Sequence, residues 1–258
     1  MTCISMLSGG QDSTAMTLRL LELGERVDYI IFADTGLEHD EMYEYIDKLD
    51  AFFQRKYNIK ITRLHPKNDF KHWVYGNNTK GEHVGKTRGT PTVLDPCWWR
   101  RESKEYSFNR WIIKEKITEH FKYVGYVYGE FERFNNAPEY VKAPLIEWRW
   151  REAEVQKYLK DMQMENPLYR HFNRTGCAIC PKQSEASKYM LYKHYPEKWD
   201  YMKQMEHNLN TDENRTGFYP RWHTELTIAQ LEEKFKKKDK QQTFAFDDEP
   251  LADCFCVI

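Results

Sequence analysis

No stretch of the 258-residue chain approaches the roughly 18 consecutive apolar residues that a membrane-spanning helix requires, so no membrane partner is expected. The N-terminus, Met1-Thr2-Cys3-Ile4-Ser5, lacks the basic segment followed by an apolar stretch that marks a secretory signal. Net charge is almost absent: 39 basic residues stand against 40 acidic ones, which leaves no global field to advertise a nucleic-acid partner. Local basic patches stay open. No internal repeat is visible, and His171, His194 and His207 show no metal-ligand spacing. The six cysteines, Cys3, Cys97, Cys177, Cys180, Cys254 and Cys256, come without a signal peptide, which points to a reducing compartment and a cytoplasmic location.

What is present argues for a packed globular protein. Aromatic residues make up 15% of the chain, far more than a disordered segment carries. Residues 2–8 are short, apolar and unbroken, as a buried parallel strand should be. Gly9-Gly10 predicts a sharp turn, and Asp12 or Ser13 predicts a cap for a helix with Ala15, Leu18 and Leu21 on its apolar face, ended by Gly24. A strand at Val27–Ala33, a helix from Asp40 to Tyr57 and a strand at Ile59–Leu64 follow. This β-α-β-α-β order predicts an α/β fold with a parallel sheet wound by helices. Asn68–Pro96 reads as a long loop, Glu102–Phe121 as a helix, Tyr123–Tyr128 as a strand and Glu152–Met162 as a helix. The expected organisation is an α/β domain over 1–165, a helical portion over 166–242 and a flexible tail over 243–258.

A strand, a glycine turn and a helix N-terminus make an anion site, because main-chain amides point outward and the helix dipole favours negative charge. Gly9 and Gly10 let the backbone approach phosphate oxygens without a Cβ in the way. Ser8 and Ser13 add hydroxyls beside Gln11, and Asp12 suits either a magnesium ion or the helix cap. The bland alternative is a loop that merely needs glycines. The thiols of Cys177 and Cys180 sit at C-x-x-C spacing and, with Cys97, are soft ligands suited to zinc or an iron–sulfur cluster. A redox pair or two buried thiols is the competing reading. Arg100, Arg101 and Lys104 follow Cys97, and such a cluster suits nucleotide phosphates, a sulfate-like group or a nucleic-acid backbone, or else ordinary solvated surface. Glu130 and Arg133 either pair with each other or line a cleft.

Ser-Gly-Gly-Gln-Asp-Ser at residues 8–13 resembles the SGGxDS loop of the PP-loop ATP pyrophosphatases, with Gln11 where that loop commonly carries lysine. Phe32-Ala33-Asp34-Thr35-Gly36-Leu37-Glu38 is similar to the acidic segment of the phosphoadenosine phosphosulfate (PAPS) reductase-like branch. Gly125, Glu130 and Arg133 have that branch's Gly-x₄-Glu-x₂-Arg spacing; Pro144–Trp148, Asn166–Tyr169 and Gly176–Pro181 continue it in order. The resemblance implies a Rossmann-like sheet with ATP and Mg²⁺, or a related nucleotide, at its C-terminal edge. It also implies nucleotide contacts at Asp34, Thr35, Gly36, Arg101, Lys104, Glu130 and Arg133. For Cys97, Cys177 and Cys180 it implies the three-cysteine form of a 4Fe-4S site, with Zn²⁺ as the alternative. Trp98 departs from the Cys-Cys pair of cluster-bearing adenylyl-sulfate reductases, and the tail around Cys254 and Cys256 lacks the Glu-Cys-Gly-x-His context of PAPS reductases.

Three functions follow as expectations. The first is an ATP-dependent sulfur-transfer enzyme with Asp12 and the three cysteines in catalytic roles. Its acceptor would be tRNA or DNA, with a sulfur donor required and a homodimer as the expected assembly. The second is reduction of PAPS or adenylyl sulfate to sulfite with a thiol reductant. The third is a non-catalytic nucleotide-binding regulator.

Overall fold

The computed structural model describes residues 1–216 and 221–240, which form two compact units interleaved in sequence. Met1–Pro66 with Ser103–Gly176 makes the first; Lys67–Glu102 with the described residues from Cys177 onward makes the second. The pattern above instead placed one boundary after residue 165. The expected tail, with Cys254 and Cys256, lies outside the described residues.

The first unit is built on a five-stranded, wholly parallel sheet of β1 (Thr2–Met6), β2 (Tyr29–Ala33), β3 (Ile61–Leu64), β4 (His120–Tyr123) and β5 (Val141–Lys142), in the order β3-β2-β1-β4-β5. Ile4, Met6, Ile30, Ile31 and Phe32 are all buried, which is why β1 and β2 read as continuous apolar runs rather than alternating ones. The first crossover is α1 (Gln11–Glu22), whose Ala15, Met16 and Leu18 are fully buried. Gly24 closes it at φ +71°, and Glu25 N–H returns to Leu20 O at 2.9 Å. The second crossover, α2 (Asp40–Tyr57), buries Met42, Tyr45, Ile46, Leu49 and Phe53 and ends at Asn58 in the left-handed region. A crossover to a parallel neighbour leaves the strand C-termini on one edge, where α/β folds hold ligands.

The second unit contains α3 (Phe70–Tyr75) and α4 (Trp98–Arg100), the latter leading through a π-helical turn at Arg101–Glu105 into α5 (Tyr106–Lys114) of the first unit. The first unit continues with α6 (Phe131–Asn135), α7 (Pro144–Glu147) and α8 (Glu152–Asp161). The second unit ends in α9 (Glu185–His194), α10 (Pro196–Asn210) and α11 (Ile228–Lys240), packed around Trp199, Met202, Trp222, Leu231 and Phe235.

Three local expectations need correction. Neither Asp12 nor Ser13 caps α1: Gly10 occupies the N-cap and the Ser13 hydroxyl turns back to the Gly10 carbonyl at 3.1 Å. The helix expected to reach Phe121 stops at Lys114, because Lys116 turns left-handed at φ +55° and His120–Tyr123 then pairs with β1. The strand edge is therefore Tyr123, not Tyr128. Asn68–Pro96 is mostly loop but holds α3, whose N-cap Asp69 accepts from His72 N–H at 2.7 Å.

Candidate functional site

The turn between β1 and α1 lies at the C-terminal end of the central strand. Gly9 adopts φ +79°, and a Cβ there would stand 2.3 Å from Met42 Sδ, so glycine is required on both conformational and steric grounds. The two serine hydroxyls brace the turn from within. Ser8 N–H donates to Ser13 Oγ at 3.1 Å, the hydroxyls are 2.9 Å apart, and Gly10 N–H donates to Ser8 Oγ at 3.3 Å. From the far side, Gly125 backs directly onto the start of α1: a Cβ there would meet Ser13 N at 2.7 Å. The glycine of the Gly-x₄-Glu-x₂-Arg spacing thus serves close approach of two main chains.

Asp12 is the unusual group. Its Oδ1 is buried and has no hydrogen-bond partner among the described residues. Burial, reinforced by the charges of Glu130 and Glu152 and opposed by Arg174, pushes its carboxyl up to about 7. A carboxylate oxygen left without a donor at a helix N-terminus suits a hard cation, so the residues present fit Mg²⁺.

Residues far along the chain hold the turn in place. Asn166, buried, donates from Nδ2 to Gly9 O at 2.8 Å and accepts from Leu168 N–H at 2.9 Å. The Tyr169 hydroxyl accepts from Gln11 N–H at 3.0 Å. Gly10 faces Tyr169 and Thr175, whose hydroxyl oxygens would lie 3.4 and 3.2 Å from a Cβ. Asn166-Pro167-Leu168-Tyr169 carries the family resemblance in sequence, but these contacts across more than 150 residues have no local signature.

The other predicted nucleotide residues occupy different settings. Asp34 ends β2 with Oδ1 accepting from Gly36 N–H at 2.7 Å and the Tyr43 hydroxyl at 2.9 Å, while His65 Nδ1 lies 3.4 Å from Oδ2. Thr35 donates to Glu38 Oε1 at 2.8 Å; burial raises the Glu38 carboxyl against the pull of Lys104 and Thr35. Gly36 is exposed at φ +69° with open space around it. Thr35 is thus committed within the loop, while Asp34 ties the loop to α2. Glu130 and Arg133 form an ion pair at 2.6 Å, the first of the two alternatives in the sequence, and Glu130 also accepts from Val127 N–H at 3.3 Å. Lys104 belongs to the first unit, whereas Arg101 is exposed and belongs to the second.

Cys97, Cys177 and Cys180 all fall in the second unit as half-buried thiols. Gln183 Nε2 braces the C-x-x-C turn by donating to Ala178 O at 3.1 Å and Cys177 O at 3.4 Å. Buried Lys188 donates to Pro181 O at 3.0 Å and to Gln183 O; burial lowers its ammonium to about 8 despite the charges of Cys180 and Glu185. Among the described residues, no three His, Cys, Asp or Glu side chains form a set able to hold a metal ion. The donor arrangement therefore does not fit a preformed cluster or zinc site. Nor is any helix among the described residues long and apolar enough to cross a membrane.

Comparison with known proteins bears on this arrangement. Residues 2–183 match the family model described as phosphoadenosine phosphosulfate reductase domain. Two uncharacterized proteins of Methanocaldococcus jannaschii are 28% and 27% identical, over 91% and 83% of this chain. The matches cover 55% and 44% of those proteins, so the chain spans about half the length of the curated relatives it matches. Among solved structures, a phosphoadenylyl-sulfate reductase from Candida auris, in a phosphate complex, aligns at 14% identity and a TM-score of 0.45, covering 69% of this chain and 81% of its own. The U34-tRNA thiolase NcsA from Methanococcus maripaludis, with its 4Fe-4S cluster, aligns at 18% identity and a TM-score of 0.40, covering 90% and 80%.

Proposed function

The chain belongs to the phosphoadenosine phosphosulfate reductase domain family, and we propose that it binds an adenine nucleotide through the Ser8–Ser13 turn and uses ATP for sulfur transfer. The observation that carries this reading is the buried Asp12 Oδ1 beside the glycine turn, which has no hydrogen-bond partner among the described residues. A bare sulfate or phosphate would be repelled by that carboxylate, whereas Mg²⁺-bound nucleotide phosphates satisfy it.

In the reaction this supports, an oxygen of the acceptor attacks the α-phosphorus of ATP. The new P–O bond forms as the bond to the bridging oxygen breaks, and pyrophosphate leaves. The N-terminus of α1, with its dipole, would meet the charge that gathers on the leaving group. Mg²⁺ held by Asp12 would offset the same charge. A sulfur nucleophile such as sulfide then displaces AMP from the activated carbon, forming C–S as C–O breaks. The acceptor class proposed is tRNA or DNA, with Arg101 and Lys104 as candidate backbone contacts and Cys177 and Cys180 as candidate sulfur carriers. No step passes through a 4Fe-4S cluster or zinc, since the described residues include no set of three His, Cys, Asp or Glu able to hold a metal ion.

The test is release of pyrophosphate from Mg·ATP, with and without nucleic acid. Nucleic-acid-stimulated release supports the reading. The family description favours a second reading, reduction of PAPS or adenylyl sulfate, and sulfite formation with a dithiol in place of ATP turnover would install it. Nucleotide binding with neither activity would leave a regulator.

A further inference from the structure

We propose that Tyr169, Arg174 and Thr175 form a second wall of the phosphate site, supplying the hydroxyl donors and the positive charge that the glycine turn does not carry. This rests on the nucleotide reading above and deepens it.

The turn is short of free donors. Its two hydroxyls are engaged with each other and with the turn's own backbone, and Gln11 is uncharged. One amide at the start of α1 is treated differently: Gln11 N–H points to an oxygen 158 residues away, on Tyr169. The Tyr169 oxygen accepts from that amide and from the Thr175 hydroxyl, which leaves the phenol O–H as the donor free for ligand. Thr175 Oγ1 lies across Gly10 on the same side, 3.2 Å from where a Cβ would stand, with the Tyr169 hydroxyl at 3.4 Å. The two hydroxyls and the helix amide thus converge on one place at the N-terminus of α1.

Charge comes from the neighbouring residue. Arg174 is exposed and takes part in no salt bridge among the described residues. Arg174 directly precedes Thr175, whose hydroxyl faces Gly10, and its positive charge acts on Asp12 and Tyr169. Glu130 and Glu152 lie on the other side of the account and repel. Among the described residues Arg174 is a cation without a salt bridge beside this turn, and its planar fork suits phosphate oxygens. Asn166 differs in kind: its side chain is buried and bonded only to main chain and Met42 Sδ, so it shapes the turn without facing ligand.

Titration calorimetry of the full chain with Mg·ATP, AMP and inorganic pyrophosphate tests the assignment in Tyr169→Phe, Arg174→Gln, Arg174→Lys and Asn166→Ala. Tyr169→Phe and Arg174→Gln should each weaken ATP and pyrophosphate about tenfold and AMP by less than about threefold, with Arg174→Lys restoring part of the loss. Asn166→Ala should weaken all three ligands in parallel, as a purely structural change does. The proposal is overturned if Arg174→Gln binds ATP and pyrophosphate as the wild type does. It is equally overturned if Tyr169→Phe and Arg174→Gln lose AMP as steeply as ATP. Failure of the wild type to bind any of the three removes the nucleotide reading as well; undiminished binding in the variants removes this inference alone.

Discussion

The phosphate turn and the C-x-x-C turn are both short loops with glycine or cysteine at fixed spacing, yet the fold treats them differently. Residues 8–13 are braced from α1 by Ser13, from α2 by Met42, from beyond β4 by Gly125 and from the 166–175 segment by Asn166 and Tyr169. Residues 177–180 are braced by Gln183 and, through Pro181, by Lys188, both within the following eleven residues. The first turn is pre-organised around a carboxylate oxygen that has no partner among the described residues, while the second holds thiols that belong to no described set of three His, Cys, Asp or Glu side chains able to hold a metal ion. Pre-organised polar groups are what transition-state charge requires, which is why the proposed nucleotide chemistry is put at the first turn.

Breaking the first turn at its carboxylate should have the largest effect. Asp12→Asn is expected to lower Mg²⁺-dependent pyrophosphate release by about 100-fold or more, while the urea midpoint holds or rises because a costly buried charge has gone. A lower midpoint would mean that Asp12 is a structural partner instead. Next comes Gly125→Ala, whose methyl would press on Ser13 N and Asp12 C; a loss of about 2–3 kcal/mol in urea unfolding is expected, with nucleotide binding reduced alongside. Asn166→Ala leaves Gly9 O and Leu168 N–H without their partner and should cost about 2 kcal/mol.

Lys122, on β4 beside both β1 and β5, sharpens the comparison from within the sheet. Burial lowers its ammonium to about 8, although Nζ sits 3.8 Å from the Phe108 ring centre. Below that pH the folded state carries a charge it disfavours, so Lys122→Met should stabilise the chain by about 1 kcal/mol at pH 7. Between pH 8 and the ordinary lysine value the folded wild type gives up its proton before the unfolded chain does. Wild-type stability therefore rises there and the gap closes, as unfolding curves at pH 7 and pH 10 would register. The smallest change expected is Gln183→Ala, at about 0.5–1 kcal/mol, seen as faster alkylation of Cys177 while ATP binding is unaltered.

How much was legible depends on the distance over which each feature is made. Ser8–Ser13, the Gly24 stop and the helix over Asp40–Tyr57 were readable because their causes are local: a strand run, small residues where the backbone needs them, and an amphipathic period. Between Glu115 and Tyr123 the pattern misled, since the left-handed turn at Lys116 has no glycine to announce it. The two-residue β5 is too short to show any period. Glu130 and Arg133 have a spacing that fits both mutual pairing and a cleft, and only coordinates could show the pair.

The chain's order of residues was sufficient for a parallel α/β sheet with a glycine turn after its first strand, because strand period, turn chemistry and helix caps act over a few residues. Tertiary structure alone decided that Tyr169 and Asn166 clasp that turn, that Gly125 admits the start of α1, and that Asp12 is buried without a donor. Those facts come from backbone and side chains meeting across as many as 158 residues, and desolvation belongs to the assembled surroundings of a group rather than to its neighbours in the chain.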